Sequence, residues 1–465
     1  MPSYNIMNTK TLAILLAPCY LLAFGCGSKS APANTNQEQQ VNTTATSDDS
    51  LLNLVQQKTF DYFWTGAEPV SGAARERYHS DGIYPQNDKH IITSGGTGFG
   101  LMAILSGIER GYITREAGFH RFKQIMDFLE KADRFHGVWP HWMNGETGAV
   151  KPFSAKDDGG DLVETAYLVQ GMLCVRQYFK NGTAEEQALA QQCDRLWQEV
   201  EWDWHQNGQE VLYWHWSPNH GWAMNFPVTG YNECLIMYVL AAASPTHGID
   251  DKPYHLGWAR NGEMVQDKSH EAFGYHLDLR HNYAEAMGGP LFWAHYSYLG
   301  LDPRGLKDRY ADYWEHNVNH TLINRAYCIQ NPNGHKGYGE NLWGLTSSYS
   351  PKGYMGHKPG EDIGVISPTA ALSSIVYTPK ESMAVMRNMY DNHKDLTWGE
   401  FGFYDAFRLD DNWVLPRYLA IDQGPVAVMI ENHRSGLLWD LFMSCEEVQQ
   451  GLDKLGFEYR KVPIK

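Results

Sequence analysis

Apolar positions along this chain fall into two patterns. Six segments are apolar on every side over a helical length and are rich in small residues. They begin near Ser94 ("SGGTGFGLMAILSGIERG"), Asp161 ("DLVETAYLVQGMLCVRQYF"), Tyr231 ("YNECLIMYVLAAA"), Gly288 ("GGPLFWAHYSYLG"), Ser367 ("SPTAALSSIVY") and Asp422 ("DQGPVAVMIENH"). Between most of them lie stretches such as "REAGFHRFKQIMDFLEKA", "AEEQALAQQCDRLWQEV" and "SMAVMRNMYDNH", whose apolar residues recur on one face only. A helix apolar all round belongs inside a fold, and one apolar on a single stripe belongs on its rim. The alternation therefore predicts an all-α fold, six helix pairs closed into an (α/α)6 toroid. A loop rich in Gly, Pro or polar residues precedes each inner segment, so antiparallel pairing places these loops on one face, bordering one cleft. Residues 134–156, 201–228 and 333–366 lack helical period and read as long loops over that face, with short strands or hairpins among them.

The N-terminal residues follow neither pattern. Lys10 and the apolar run from Leu12 to Phe24 are too short for a membrane span, and the run ends in "LLAFGCGS", which resembles a bacterial lipoprotein signal. That resemblance implies cleavage before Cys26 and lipid attachment to its sulfur. The expected organisation is a signal peptide over 1–25, a flexible Asn/Thr/Ser/Ala/Gln-rich tether over 26–50 and a single domain over 51–465. The domain would be exported and held by lipid, periplasmic or outer-membrane associated, meeting the membrane through the anchor alone.

Composition narrows the partners. A formal charge of −16 disfavours nucleic acid, anionic membrane and polyanionic sugars. With Cys19 and Cys26 set aside, five cysteines remain with no C-x-x-C pair, which argues against a disulfide framework or a zinc site. "GGTGFG" follows no clear strand and has no P-loop lysine, "DDGGD" lacks the ligand spacing of a calcium loop, and neither H-E-x-x-H nor G-x-S-x-G occurs. No cofactor or metal is expected.

What the loop ends do hold is carboxylates. Asp157, Asp158, Asp161 and Glu164 crowd into "AKDDGGDLVETAY", and a helix through Asp157, Asp161 and Glu164 would line them along one stripe. Glu233, Glu285, Glu340, Glu361, Asp362, Glu400 and Asp422 occupy comparable positions. Glycoside hydrolysis needs two such groups, one protonated to donate to the leaving oxygen and one ionised to activate water or attack the anomeric carbon. Glu233, flanked by Tyr231 and by Cys234, Leu235 and Ile236, is the expected acid, because burial raises a carboxyl pKa. Asp161 and Asp422, at helix starts near Gly, should stay ionised and either position water or bind sugar hydroxyls. Aromatic residues in polar loops suit stacking on sugar rings: Trp139 and Trp142 in "VWPHWMN", Trp216 in "WDWHQNGQEVLYWHWSPNHGW" and Trp343 in "NLWGLTSSY". With Asp158, Tyr231, Glu285 and Glu400 these form the expected substrate-binding set. A polysaccharide lyase on the same toroid and a glycan-binding lipoprotein without catalysis are the alternatives; the first would favour Arg and Lys, and the second leaves the carboxylates unexplained.

Six motifs, "KDDGGDLVETAYLVQGML", "TGYNECLIMYVLAAASP", "YAEAMGGPLFWAHYSYLGLDP", "YSPKGYMGH", "TWGEFGFYDAF" and "IDQGPVAVMIENHRSGLLWDLFM", together resemble the glucoamylase-like domain of bacterial glycoside hydrolase family 144 from about Leu51 to Lys465. The resemblance implies an (α/α)6 barrel and hydrolysis of β-1,2-glucan with inversion and without a metal. Its acids fall on Asp157, Asp161, Glu164 and Glu233, with Asp422 a further member. It leaves open which carboxylate is the base, and whether cleavage is endo or exo with release of sophorose.

Overall fold

The computed structural model describes residues 47–284 and 286–464. The leader, Cys26 and the tether up to residue 46 lie outside the described residues, as does Glu285. The first helix, α1 (Asp48–Trp64), opens slightly ahead of the expected domain start at Leu51. Its opening is fixed by Ser47, whose side chain accepts the Ser50 N–H, and by Asp48 and Asp49 in the first turn, where the helix dipole favours acids.

The chain then runs outward and inward in turn. Inner helices α2 (Ser94–Glu109), α4 (Leu162–Phe179) and α6 (Leu235–Ala243) are buried almost throughout. Outer helices α3 (Arg115–Leu129) and α5 (Ala184–Gln198) bury one stripe each, with Phe122, Ile125, Met126 and Leu129 forming that of α3. A Thr183/Glu186 capping box opens α5. The second half repeats the scheme with α7 (Tyr313–Gln330) outside, α8 (Pro368–Leu372) inside, α9 (Pro379–Thr397) outside and α10 (Ala420–Arg434) inside. Helices α11 (Leu437–Met443) and α12 (Glu446–Leu455) complete the chain. The inner elements pack in succession and α10 returns against α2, so the fold is the expected α/α toroid.

Glycine sets how closely the inner helices approach. A Cβ on Gly98 would lie 2.1 Å from the Tyr167 carbonyl oxygen, and one on Gly171 would lie 2.2 Å from that of Gly98. Backbone therefore meets backbone where α2 crosses α4, which explains the small residues in both segments.

One inner segment departs from expectation. "GGPLFWAHYSYLG" forms two 3-10 turns, Leu291–Ala294 and Tyr296–Tyr298, instead of a helix. Pro290 opens it in an extended conformation, and His295 between the turns has φ −115°, its Nε2 held 2.9 Å from Ser374 Oγ. That bond and the one from Tyr377 Oη to the Ala294 carbonyl (2.8 Å) tie this segment to the turn following α8.

The long loops do carry short strands. Trp142–Asn144 pairs with Ile91–Thr93 and with Val150–Lys151, Gly160–Asp161 pairs with His215–Trp216, and Ser347–Ser350 forms a hairpin with Gly353–Gly356. Arg77–His79 pairs with Arg417–Leu419 at the start of α10. These pairings pin the loops to the mouths of the inner helices. The five cysteines of the domain are buried free thiols. Among the described residues no helix is long and apolar enough to cross a membrane.

Candidate active site

The loops enclose a cavity of about 580 Å³, lined at one wall by Thr93, His141, Trp142 and Glu164, at another by Tyr167, Glu233 and Tyr296, and at a third by Arg77, Tyr349 and Tyr354. Its construction begins at Asp161. Gly159 and Gly160 stop α4 from extending backwards: a Cβ on Gly159 would lie 2.2 Å from the Trp216 carbonyl oxygen, and Gly160–Asp161 is a strand. Asp161 is thus the N-cap of α4 and Asp157 stands outside the helix, so the single helical stripe through Asp157, Asp161 and Glu164 is not formed. A turn brings Asp157 back instead, and burial, with Asp161 nearby, pushes its pKa up to about 7.

Asp161 is fully buried and saturated with donors. Its Oδ1 accepts the Glu164 N–H at 2.9 Å, and its Oδ2 accepts His141 Nδ1 and Trp214 Nε1, each at 2.9 Å. Burial alone would raise its pKa, but the His141 bond and charge outweigh it, and the carboxyl lies below its ordinary value. Glu164 sits one turn into α4. Its Oε2 accepts Thr93 Oγ1 at 3.0 Å and the Gly95 N–H at 2.8 Å, while Oε1 stands 3.8 Å from His141 Nε2. Burial raises the pKa of Glu164.

His141 links the two acids. Burial opposes its charge, but Glu164 and Asp161 overcome that and lift its pKa to about 9, making it an imidazolium at neutral pH. Phe153 stacks on the ring at 4.1 Å. One ligand atom each of His141, Asp157 and Asp161 lies within 4.8 Å of the others, a grouping that could hold a cation. The imidazolium already occupies that electrostatic role, and His141 Nδ1 spends its proton on Asp161.

Glu233, just ahead of α6, faces these groups across the cavity. Burial first, and then the charges of Glu164 and Asp161, push its pKa up to about 7. Its carbonyl accepts from Tyr167 Oη at 3.3 Å and from Ser297 Oγ, which fixes the backbone behind the side chain. Arg77 lies 5.7 Å over the Trp142 ring and 5.9 Å over that of Tyr349, and is paired with Glu76 (3.0 Å) and Asp88 (3.5 Å).

Several residues of the expected set lie elsewhere. Trp139 is fully buried with Nε1 donating to the Leu129 carbonyl at 3.1 Å, and Trp343 is fully buried in the core. Neither offers a face to a ligand: the polar loops that hold them fold their indoles inward to cover the helices. Tyr231 is also buried, its Oη near Tyr298 Oη (3.1 Å) and Asn317 Oδ1 (3.3 Å). Trp216 lies outside the cavity lining, edge-on to Trp204 at 6.3 Å. Asp158 accepts from Ser217 Oγ and from Asn219 Nδ2 (2.7 Å), locking two loops together. Glu400 is exposed beside Tyr78. Asp422, on the first turn of α10, does not share the lowered pKa of Asp161: it is buried against Asp405, and burial together with that second carboxyl raises its pKa well above the ordinary value.

Sequence reading missed His141, Trp214, Tyr296 and Tyr354 as cavity residues. His141 stood in "VWPHWMN" and Tyr354 in "YSPKGYMGH", but nothing local distinguishes their side chains from those of Trp139 or Trp343. Tyr296 lay within an apolar inner segment that reads as core.

Fold and site together define the class: an α/α toroid whose loop face carries an aromatic-walled cleft with one carboxyl set to hold a proton and a second group of acids bound to a cation. The family model "Glycoamylase: Putative glucoamylase" matches residues 225–446. An endo-beta-1,2-glucanase structure from Chitinophaga pinensis, in complex with sophorotriose and glucose, is 64% identical and superposes with a TM-score of 0.88 over 89% of this chain and 99% of its own. An exo beta-1,2-glucooligosaccharide sophorohydrolase of Parabacteroides distasonis is 45% identical over 91% of this chain, which spans 60% of that relative's length. An endo-beta-1,2-glucanase of Talaromyces funiculosus, 11% identical, shares the fold alone, at a TM-score of 0.59 over 84% of this chain and 87% of its own. The chain belongs to the glucoamylase-like family of these bacterial proteins, glycoside hydrolase family 144.

Proposed function

We propose that the protein is an inverting glycoside hydrolase of β-1,2-glucan, with Glu233 as general acid and Glu164 as the base that activates water. The observation that carries this reading is the pairing of environments within one cavity. Glu233 is lifted to about 7 by burial, so it holds a proton to donate. Glu164 keeps one oxygen fixed by Thr93 and Gly95 and turns the other toward the His141 imidazolium, whose charge offsets part of the upward shift that burial gives its pKa. Asp161 is a positioning residue: with all three of its bonds made to protein, it holds His141 and the start of α4. Inversion requires the two acting carboxyls far enough apart for a water, about 6.5 to 9.5 Å, and here Glu164 stands in the first turn of α4 and Glu233 just ahead of α6. Pairing of Arg77 with Glu76 and Asp88 leaves no free cation there for a uronate, which favours a neutral glucan over a lyase substrate. The linkage is supported by the names of the relatives.

The test is hydrolysis of a panel of linkage-defined glucans and a uronate polymer, with the first-formed anomer followed by NMR. Cleavage of β-1,2-glucan giving the α-anomer first is expected. An initial β-anomer would overturn inversion, activity confined to another linkage would overturn the substrate, an unsaturated product would make the protein a lyase, and binding without turnover would leave a glycan-binding protein. A ladder of products would indicate endo action, and sophorose alone from the outset exo action.

The sequence of the first 26 residues supports export with a lipid on Cys26 and residence in the periplasm or at the outer membrane. Cys26→Ala should move the protein from the membrane to the soluble fraction; a native protein already soluble would refute the anchor.

A further inference from the structure

The Trp-rich segment 202–222 is not absorbed by the cleft. It gives Trp214 to Asp161 and buries Trp202 in the core, while Trp204 and Trp222 border a second groove of about 520 Å³ together with Asp203, Asn207 and His247. None of these residues lines the catalytic cavity.

The groove is built, not incidental. His136 stacks on one face of Trp204 at 3.9 Å and 12°, and Glu201 Oε2 lies 2.8 Å from His136 Nδ1, so the indole is held from behind while 40% of the residue remains exposed. Trp216 packs edge-on against the same indole at 6.3 Å. Trp222 is braced at its edge by Tyr213 (5.5 Å) and His205 (5.6 Å). The rings of Trp204 and Trp222 sit 6.3 Å apart and are tilted by 34°. A 3-10 turn over Trp204–Gln206 sets this spacing; Asp203 caps it and Asn207 closes it in the left-handed region at φ 49°. Both indole N–H groups and the Asn207 side-chain amide make no hydrogen bond among the described residues.

Fixed indoles with free N–H groups, a free amide and nearby carboxylate oxygens match one kind of ligand. A pyranose offers an apolar C–H face to an aromatic ring and a rim of hydroxyls that both donate and accept. An apolar protein partner would leave those donors and acids unpaired on burial, at a cost.

We infer that the Trp204–Trp222 groove is a second glucan-binding surface that holds a polymer outside the catalytic cleft. The groove's existence does not depend on the hydrolase assignment, but the choice of β-1,2-glucan as its ligand rests on it. A chain held at both places gains through effective concentration, so the groove should matter for polymer and not for oligosaccharides short enough to fill the cleft alone.

The experiment uses the full chain. Affinity electrophoresis in gels containing β-1,2-glucan, with Glu233→Gln to prevent turnover, compares the groove carrying Trp204→Ala and Trp222→Ala together with the intact groove. Retardation should weaken at least fivefold. In the catalytically active background the same pair should raise KM on polymer at least threefold while kcat/KM on a trisaccharide stays within a factor of two. Unchanged retardation overturns the proposal, as does an equal loss on polymer and trisaccharide, which would place the damage in the cleft. Should the double variant fail to fold by thermal melting, Trp204→Phe with Asn207→Gly, which keeps a ring and the left-handed turn, replaces it, with an expected twofold to threefold weakening. Normal turnover with retardation insensitive to the groove variants refutes the groove alone. Absent turnover of β-1,2-glucan with groove-dependent retardation in another linkage-defined glucan refutes the substrate assignment and leaves the groove standing. No groove-dependent retardation in any glucan of the panel refutes the groove.

Discussion

His141 Nδ1 donates to Asp161 Oδ2 at 2.9 Å, and its other nitrogen stands 3.8 Å from Glu164 Oε1, so one imidazolium neutralises two buried acids. Its pKa is raised from 6.5 to about 9, and a group raised on folding stabilises fully below its unfolded value and loses that contribution as pH rises through the folded one. His141→Gln should therefore lower Tm most near pH 6, and the difference from wild type should shrink between about pH 7 and pH 10. Melting curves across that range check this; a difference that grows with pH would show His141 to be neutral.

Glu233 should set the alkaline limb of activity. With its pKa at about 7, kcat/KM on oligosaccharide should fall tenfold per unit above that pH. Glu233→Gln should reduce turnover about 100-fold or more and remove the limb. The raised pKa also means that burial of Glu233 stabilises the fold less as pH rises through 7, so Glu233→Gln should melt no lower than wild type at pH 8. Near-normal turnover would take Glu233 out of the mechanism.

Two glycines of α2 should fail differently. A Cβ on Gly95 would lie 2.5 Å from Glu164 Oε2, at the end of a side chain, so Gly95→Ala should displace the carboxylate and cost at least tenfold in kcat with a small change in Tm. A Cβ on Gly98 would meet Tyr167 backbone at 2.1 Å, which cannot swing aside, so Gly98→Ala should destabilise by about 3 kcal/mol. Equal effects of the two on melting would contradict this division.

Asp422 and Asp405 form a buried carboxyl pair, and the raised pKa of Asp422 means that stability drains away as pH rises. Asp422→Asn supplies a permanent donor to Asp405. Its Tm relative to wild type should increase from pH 5 to pH 8; a constant offset would show that the pair does not titrate in that interval.

Much of the fold was legible because it is written in local pattern. Helices buried on all sides and helices buried on one side differ in which positions are apolar, and that difference alone places α2, α4, α6 and α10 inside α3, α5 and α9. Where aromatic bulk and Pro290 interrupt the pattern, at Leu291–Tyr298, sequence predicts a helix and the hydrogen bond of His295 to Ser374 makes two turns instead.

The acids were legible as residue types but not as an arrangement. Asp161, Glu164 and Glu233 are visible as carboxylates near helix starts, and burial of Glu233 follows from its apolar flank. The sequence by itself determined the toroid and the acidic character of its loop face. Only the tertiary structure decided that His141 sits between Asp161 and Glu164, that Trp139 and Trp343 turn inward while Trp142 and Trp214 meet the cleft, and that Asp422 faces Asp405. Those outcomes depend on strand pairings between residues far apart in the chain, such as Gly160–Asp161 with His215–Trp216. Side-chain direction in an irregular loop follows from what packs against it, and no local period encodes that.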